Sequence, residues 1–224
     1  PLIKGEDPCN INKIHSMIEE KILGAGYGNI SNLMCVAGVD YALHDLAGKA
    51  MGKSLAELIG GRVREKLEYM PCSGILPPRK LAEYYRSELT KGYWKSIKYA
   101  KMKVGGFPHY DLKRDLECVK AVREVVGPDV TLIPDANGSW TVSDAIRVIH
   151  KMEKYDPIMV EQPTWRHNLD GLVRVARSVD APIIADESAY TPNMVWRAAQ
   201  TGVIEYYNLK PMRAGGIVGA MRCI

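Results

Sequence analysis

The fold class predicted by this sequence is α/β, a (β/α)8 TIM-type barrel, and three observations point to it. From Arg62 onward, strand and helix patterns alternate. The strand segments are continuous apolar runs, such as Pro182-Ile183-Ile184-Ala185 and Val130-Thr131-Leu132-Ile133, as expected of strands covered on both faces. Each candidate strand also carries one polar residue at its carboxyl end: Ser73, Lys103, Asp135, Glu161, Asp186 and Lys210. A barrel builds its site from that end. An open dinucleotide-binding sheet would need a GxGxxG turn, and the chain has none. About six strands can be read where a closed barrel needs eight. The barrel is therefore expected to be incomplete.

The elements follow in order. Ile11, Ile14, Ile18 and Ile22 recur at helical spacing, and Gly24 and Gly26 should stop that first helix. A second helix is expected over about Asn32–Met51, rich in small residues that suit close packing, with Gly52 ending it. Ser54 should cap a short third helix that closes at Gly60-Gly61. Strands are expected at Leu67–Ser73, Ile97–Val104, Val130–Asn137, Ile158–Gln162, Ile183–Ser188 and Glu205–Lys210. The helices between them should span about Pro78–Lys91, Tyr110–Val126, Val142–Tyr155, Leu169–Val179 and Pro192–Thr201, with a last one beginning near Ile217.

Composition narrows the function. The 224 residues carry a formal net charge of +4 with no basic, aromatic-interleaved patch, which argues against a nucleic-acid partner. Five scattered cysteines show no metal-binding spacing, and the expectation is reduced thiols in a cytoplasmic protein. No apolar run reaches membrane-spanning length, and the amino end does not resemble a signal peptide. The chain starts on proline, so a fragment of a longer protein is expected.

The chemistry starts in YAKMKVGG, Tyr99 to Gly106. Residues i and i+2 of a strand share a face, so Lys101 and Lys103 point into one space while Met102 turns away. Two neighbouring ammonium groups ease deprotonation of one, which would suit a general base. By itself such a pair more often reads as solvated surface, and it is the carboxylates on the following strands that favour chemistry. Asp135, Glu161 and Asp186 follow, one βα repeat apart, and should converge on one point. Three like charges held together call for a cation. Ligation by oxygen alone favours Mg²⁺, with Mn²⁺ as the alternative.

Strand alternation turns Glu187 away from Asp186, giving it a supporting role around the metal or in the structure. Asn137 shares the face of Asp135 and could touch metal or substrate, or simply form a turn. Ser73, at the end of the first strand, is a further candidate for substrate contact or support. Lys210 comes from the strand after the last carboxylate and should face Lys103 across the metal. A carboxylate substrate on the cation would have an acidified α-proton, which one lysine removes while the other returns it or stabilises charge; Lys101 would lower the Lys103 pKa or hold the substrate carboxylate.

Two long stretches carry a family resemblance: Cys35–Gly60 (CVAGVDYALHDLAGKAMGKSLAELIG) and Leu132–Pro163 (LIPDANGSWTVSDAIRVIHKMEKYDPIMVEQP). They resemble the enolase superfamily, specifically its mandelate racemase/muconate lactonizing enzyme branch. The lysine in YNLKPMRAGG, at Lys210, is similar to the muconate lactonizing subgroup. The resemblance implies that residues 1–62 are the helical part of an α+β capping domain and residues 63–224 are strands one to six of the barrel. It also implies Mg²⁺ on Asp135, Glu161 and Asp186, with Lys103 as base and Lys101 as its partner. The implied activity is a cycloisomerase, epimerase or racemase acting α to a carboxylate, in a homo-oligomer. The other readings are a sugar-acid-type dehydratase or a catalytically incomplete relic of the fold.

Overall fold

The structure, a computed structural model, describes residues 2–23, 30–91 and 97–224. The chain opens with α1 (Ile11–Leu23), α2 (Ile30–Met51) and α3 (Leu55–Leu58). Strands and helices then alternate: β1 (Cys72–Ile75), α4 (Pro78–Thr90), β2 (Tyr99–Lys103), α5 (Leu112–Val126), β3 (Thr131–Asp135) and α6 (Val142–Met152). After a 3₁₀ turn at Glu153–Tyr155 come β4 (Val160–Glu161), α7 (Leu169–Ala176), β5 (Ile183–Ala185), α8 (Pro192–Ala199) and β6 (Tyr206–Tyr207). Two short helices, α9 (Pro211–Ala214) and α10 (Ile217–Met221), follow.

The expected order of elements is present, with differences at the edges. The first strand was expected at Leu67–Ser73, but Leu67 and Tyr69 are exposed and pairing begins at Cys72. Pro71 lends β2 its carbonyl, accepting from the Lys101 N–H at 3.0 Å, but has no N–H to give. Helix α9 was not anticipated, because a single turn after a proline leaves no periodic pattern to read. The stop expected at Gly24 and Gly26 lies outside the described residues. Ser54 caps α3 as expected and forms a capping box with Glu57.

Two compact units form, one of Pro1–Leu67, Tyr190–Trp196 and Leu209–Ile224, the other of Glu68–Ala189 and Arg197–Asn208. In the first, Ile14, Ile18, Val36 and Leu43 make the core between α1 and α2. Asp40 is buried there. Its carboxylate accepts the N–H groups of Ile217 at 2.9 Å and Val218 at 3.2 Å, and lies 3.1 Å from His44 Nδ1. It thus satisfies the start of α10, whose N-cap, Gly216, has no side chain to do so.

The second unit holds one parallel sheet in which β1 to β6 lie in sequence order. Leu81, Tyr85, Val119, Val122, Ile149 and Leu172 are fully buried on its helices, and Met102 and Leu132 on its strands. Asp111, Thr141 and Asn168 cap α5, α6 and α7 with their side chains, which fixes where each helix starts after its loop. Among the described residues no helix is long and apolar enough to cross a membrane.

The loop after β2 turns at Gly105, whose φ of +67° favours glycine; a Cβ there would lie 2.0 Å from Ser139 Oγ. The fully buried carboxylate of Asp115 holds this turn. It accepts from Gly105 N–H at 2.9 Å and from the Trp140 indole N–H at 3.0 Å. Burial pushes its pKa up against those donors and Arg114. Trp140→Phe keeps an aromatic ring, though a smaller one, and removes one donor from a buried carboxylate. It should lower unfolding free energy by about 1–3 kcal/mol in a urea titration.

Candidate metal centre

Strand register brings the predicted acids level. In the parallel ladder Lys103 pairs with Asp135, Asp135 with Glu161, and Glu161 with Ile184. Asp186 is two residues past Ile184 and so shares its face. One ligand oxygen from each of Asp135, Glu161 and Asp186 lies within 4.8 Å of the others, and all three residues are buried. Three convergent carboxylate oxygens without imidazole or thiolate suit a hard divalent ion.

Both lysines of the YAKMK strand turn toward these acids. Lys101 Nζ stands 2.6 Å from Glu161 Oε1 and 3.0 Å from Asp135 Oδ2, and it is nearly buried. Lys103 bonds Asp135 Oδ2 and is more open, with a quarter of its side chain exposed. Lys101 was expected to ease deprotonation of Lys103 or to hold the substrate carboxylate; its ammonium is met by Glu161 and Asp135. Burial works to lower the Lys101 pKa, but Asp135 and Glu161 overcome it and hold it above the usual lysine range. Burial likewise acts to raise Asp135, and the two lysines bring it below the usual carboxylate range. Glu161 goes the other way, raised by burial and by Asp135, with Lys101 and Asn208 opposing.

The remaining candidates divide. Asn137 has a left-handed φ of 47°; its N–H donates to Asp135 Oδ1 at 3.0 Å and its Nδ2 to Glu187 Oε1 at 3.1 Å. It forms a turn and also orients a candidate ligand. Glu187 therefore sits one hydrogen bond behind Asn137. Ser73 is buried, and its hydroxyl makes no hydrogen bond among the described residues. Lys210 stands at the N-cap of α9, in the first unit.

Two residues near the acids were missed. Asn208 Nδ2 donates to Glu161 Oε1 at 2.7 Å; it lies two residues before Lys210, so strand alternation gave the available hint. Cys72 pairs in register with Lys101 and is solvent-accessible. Local burial still pushes its thiol pKa up. Lys101 and Lys103 pull it down while Asp135 and Glu161 push it up. A lone cysteine in an apolar strand gave no sequence signal.

Comparison with known proteins agrees with this arrangement. Residues 1–60 match the family described as Mandelate racemase / muconate lactonizing enzyme, N-terminal domain, and residues 80–224 match Enolase C-terminal domain-like. An N-succinyl-L-Arg/Lys racemase of Bacillus cereus is 29% identical over 223 residues, covering 99% of this chain and 56% of the relative. An arabinonate dehydratase of Saccharolobus solfataricus is 30% identical over 222 residues, covering 99% and 56%. The crystal structure of a dipeptide epimerase from Enterococcus faecalis V583, complexed with Mg and the dipeptide L-Leu-L-Tyr, superposes with a TM-score of 0.83 at 32% identity, covering 98% and 57%. The chain thus spans a little over half the length of these relatives.

The Lys101 ammonium stands among the oxygens that a cation would use. Lys101→Met removes that competing charge and should tighten Mg²⁺ binding to the chain by roughly tenfold, a modest share of a charge–charge interaction at this range. Isothermal titration calorimetry reads the change. Weaker binding in the variant would show that Lys101 supports the site instead of competing for it.

Proposed function

The chain belongs to the mandelate racemase/muconate lactonizing enzyme family of the enolase superfamily, and from that premise we propose that it abstracts the proton α to a carboxylate in a Mg²⁺-dependent isomerisation. The observation that carries this reading is the meeting of three buried carboxylates with two lysines on adjacent strand ends. The reaction favoured is racemisation or epimerisation of an N-substituted amino acid or dipeptide, as the names of the racemase and epimerase relatives suggest. Cycloisomerisation would share the first step.

Asp135, Glu161 and Asp186 are assigned as the ligands, and they fit Mg²⁺ by donor type and spacing. Once bound, the ion would supply positive charge against the enolate that forms as the proton leaves. Lys103 is assigned as the base because it is the more open of the two amines on β2. Lys101, held by Glu161 and Asp135, keeps a positive charge fixed beside the substrate carboxylate. Asn208 and Asn137 orient Glu161 and Asp135 through the hydrogen bonds already described. By the family resemblance, Lys210 is assigned the return of the proton.

A second reading, dehydration of a sugar acid, draws on the likeness to the arabinonate dehydratase. It requires a general acid beside the leaving hydroxyl. Product mass separates the two, since only dehydration loses water.

The test is exchange of the substrate α-proton with solvent deuterium, followed by NMR across dipeptides, N-acylamino acids and muconate-like acids. Exchange that requires Mg²⁺ is expected; its absence across all classes would leave a fold without this chemistry. Lys103→Ala should abolish exchange from one stereoisomer while Mg²⁺ binding persists. Lys210→Ala should preserve that exchange but stop interconversion of the stereoisomers. Glu161→Gln should weaken Mg²⁺ binding about 10–100-fold by calorimetry, the scale of disturbing a ligand's immediate surroundings. Unchanged affinity would remove Glu161 from the ligand set.

A further inference from the structure

Asp135 and Glu161 end β3 and β4 and are paired in register, whereas Asp186 lies one residue past β5, so its distance from Glu161 must be set by more than the strands themselves. Gln162, directly after Glu161, bonds to both neighbouring loops. Its carbonyl accepts from Gly138 N–H at 2.6 Å, in the loop that follows Asp135, and its own N–H donates to Ile184 O at 2.9 Å on β5. The side chain turns toward the Asp186 loop. Oε1 accepts the backbone N–H groups of both Asp186 and Ser188 at 3.0 Å, and Nε2 donates to Ser188 Oγ at 2.7 Å and Thr164 O at 2.9 Å.

Every polar position of the amide is used, and the residue is fully buried. Its φ of 37° is left-handed, a conformation that glutamine adopts only when its surroundings impose it. The amide orientation follows from its partners: two N–H groups can face only the oxygen, and a carbonyl only the nitrogen.

We propose that Gln162 is a positioning residue that fixes the separation of Glu161 and Asp186, and through it the preference of the site for a small divalent ion. The proposal rests on reading Asp135, Glu161 and Asp186 as a metal centre. Mg²⁺ demands short, near-octahedral bonds, whereas Ca²⁺ accepts longer and less regular ones. A site that loses its spacing therefore loses Mg²⁺ more than Ca²⁺. Gln162→Met fills the same space but leaves the Asp186 and Ser188 N–H groups without their acceptor. Gln162→Glu keeps an oxygen toward both.

The experiment is calorimetric titration of the full chain with Mg²⁺ and with Ca²⁺, for the parent, Gln162→Met, Gln162→Glu and the shorter Gln162→Asn, each checked for folding by circular dichroism. In Gln162→Met, Mg²⁺ affinity should fall at least about tenfold, as for other residues that orient a ligand, and the Mg²⁺-to-Ca²⁺ affinity ratio should fall with it. Gln162→Glu should restore the parental ratio. If Gln162→Met does not fold, Gln162→Asn decides, because it keeps the amide but falls one methylene short of the Asp186 N–H, and the same loss is expected. Equal losses for both ions, or Mg²⁺ affinity within threefold of the parent, would overturn the proposal. A parent chain that binds neither ion would overturn the metal reading beneath it, and that result appears before any variant is compared.

Discussion

Three carboxylates buried side by side cannot all keep their charge without cations next to them, and the centre of this protein is organised around that constraint. Removing an ionised group from water is costly unless opposite charge and hydrogen bonds replace the lost solvation. Lys101 and Lys103 bring two positive charges to Asp135 and Glu161. The two acids share them unequally. Asp135, touched by both lysines, is held below its usual range, whereas Glu161, touched by one, is pushed above it. The three acids are grouped closely enough that they could hold a metal ion.

Backbone geometry delivers the charges to one place. Because the strands are parallel and in sequence order, each repeat adds its strand-end residue beside the previous one at the same height. The two-residue period of a strand then decides which side chains face in. It admits Lys101 and Lys103 together, and it buries Met102 among the apolar side chains. The turn at Gly105, pinned by Asp115, lets the chain leave β2 directly after Lys103 without disturbing it. Asp115, Asn137, Gln162 and Asn208 all act this way, spending buried hydrogen bonds on the position of a neighbour.

This division explains what could be read from the residues alone. Polar groups that end apolar strands stand out, because a lysine or aspartate there breaks a run that otherwise has only packing to satisfy. Lys103, Asp135, Glu161 and Asp186 were legible for that reason, as were the helices with strong apolar periodicity and a capping residue. Asn208, Gln162 and Asp115 were not. Their roles depend on hydrogen bonds between residues far apart in the chain, and no local period encodes those. The bounds of β1 failed for a related reason: Leu67 and Tyr69 look like strand residues, but both side chains are exposed. The return of the chain to the first unit at Leu209–Ile224 was equally hidden, because Asp40, which receives that segment, lies far upstream in α2.

The chemistry assigned here separates into a common part and a branching part. The proposed cation ligands, carboxylate anchor and base all come from residues between the start of β2 and the loop after β5, and on the proposed reading they take the proton from carbon. Racemisation, cycloisomerisation and dehydration differ only afterwards, in which atom of the enolate next receives a proton or loses a group. That choice depends on acids outside the carboxylate cluster, of which Lys210 is the candidate in this chain. On that assignment one scaffold can serve several reactions, because the residues that select the product need not be those that bear the cost of burying charge. The relatives, a racemase, an epimerase and a dehydratase on similar chains, are what that separation would lead one to expect.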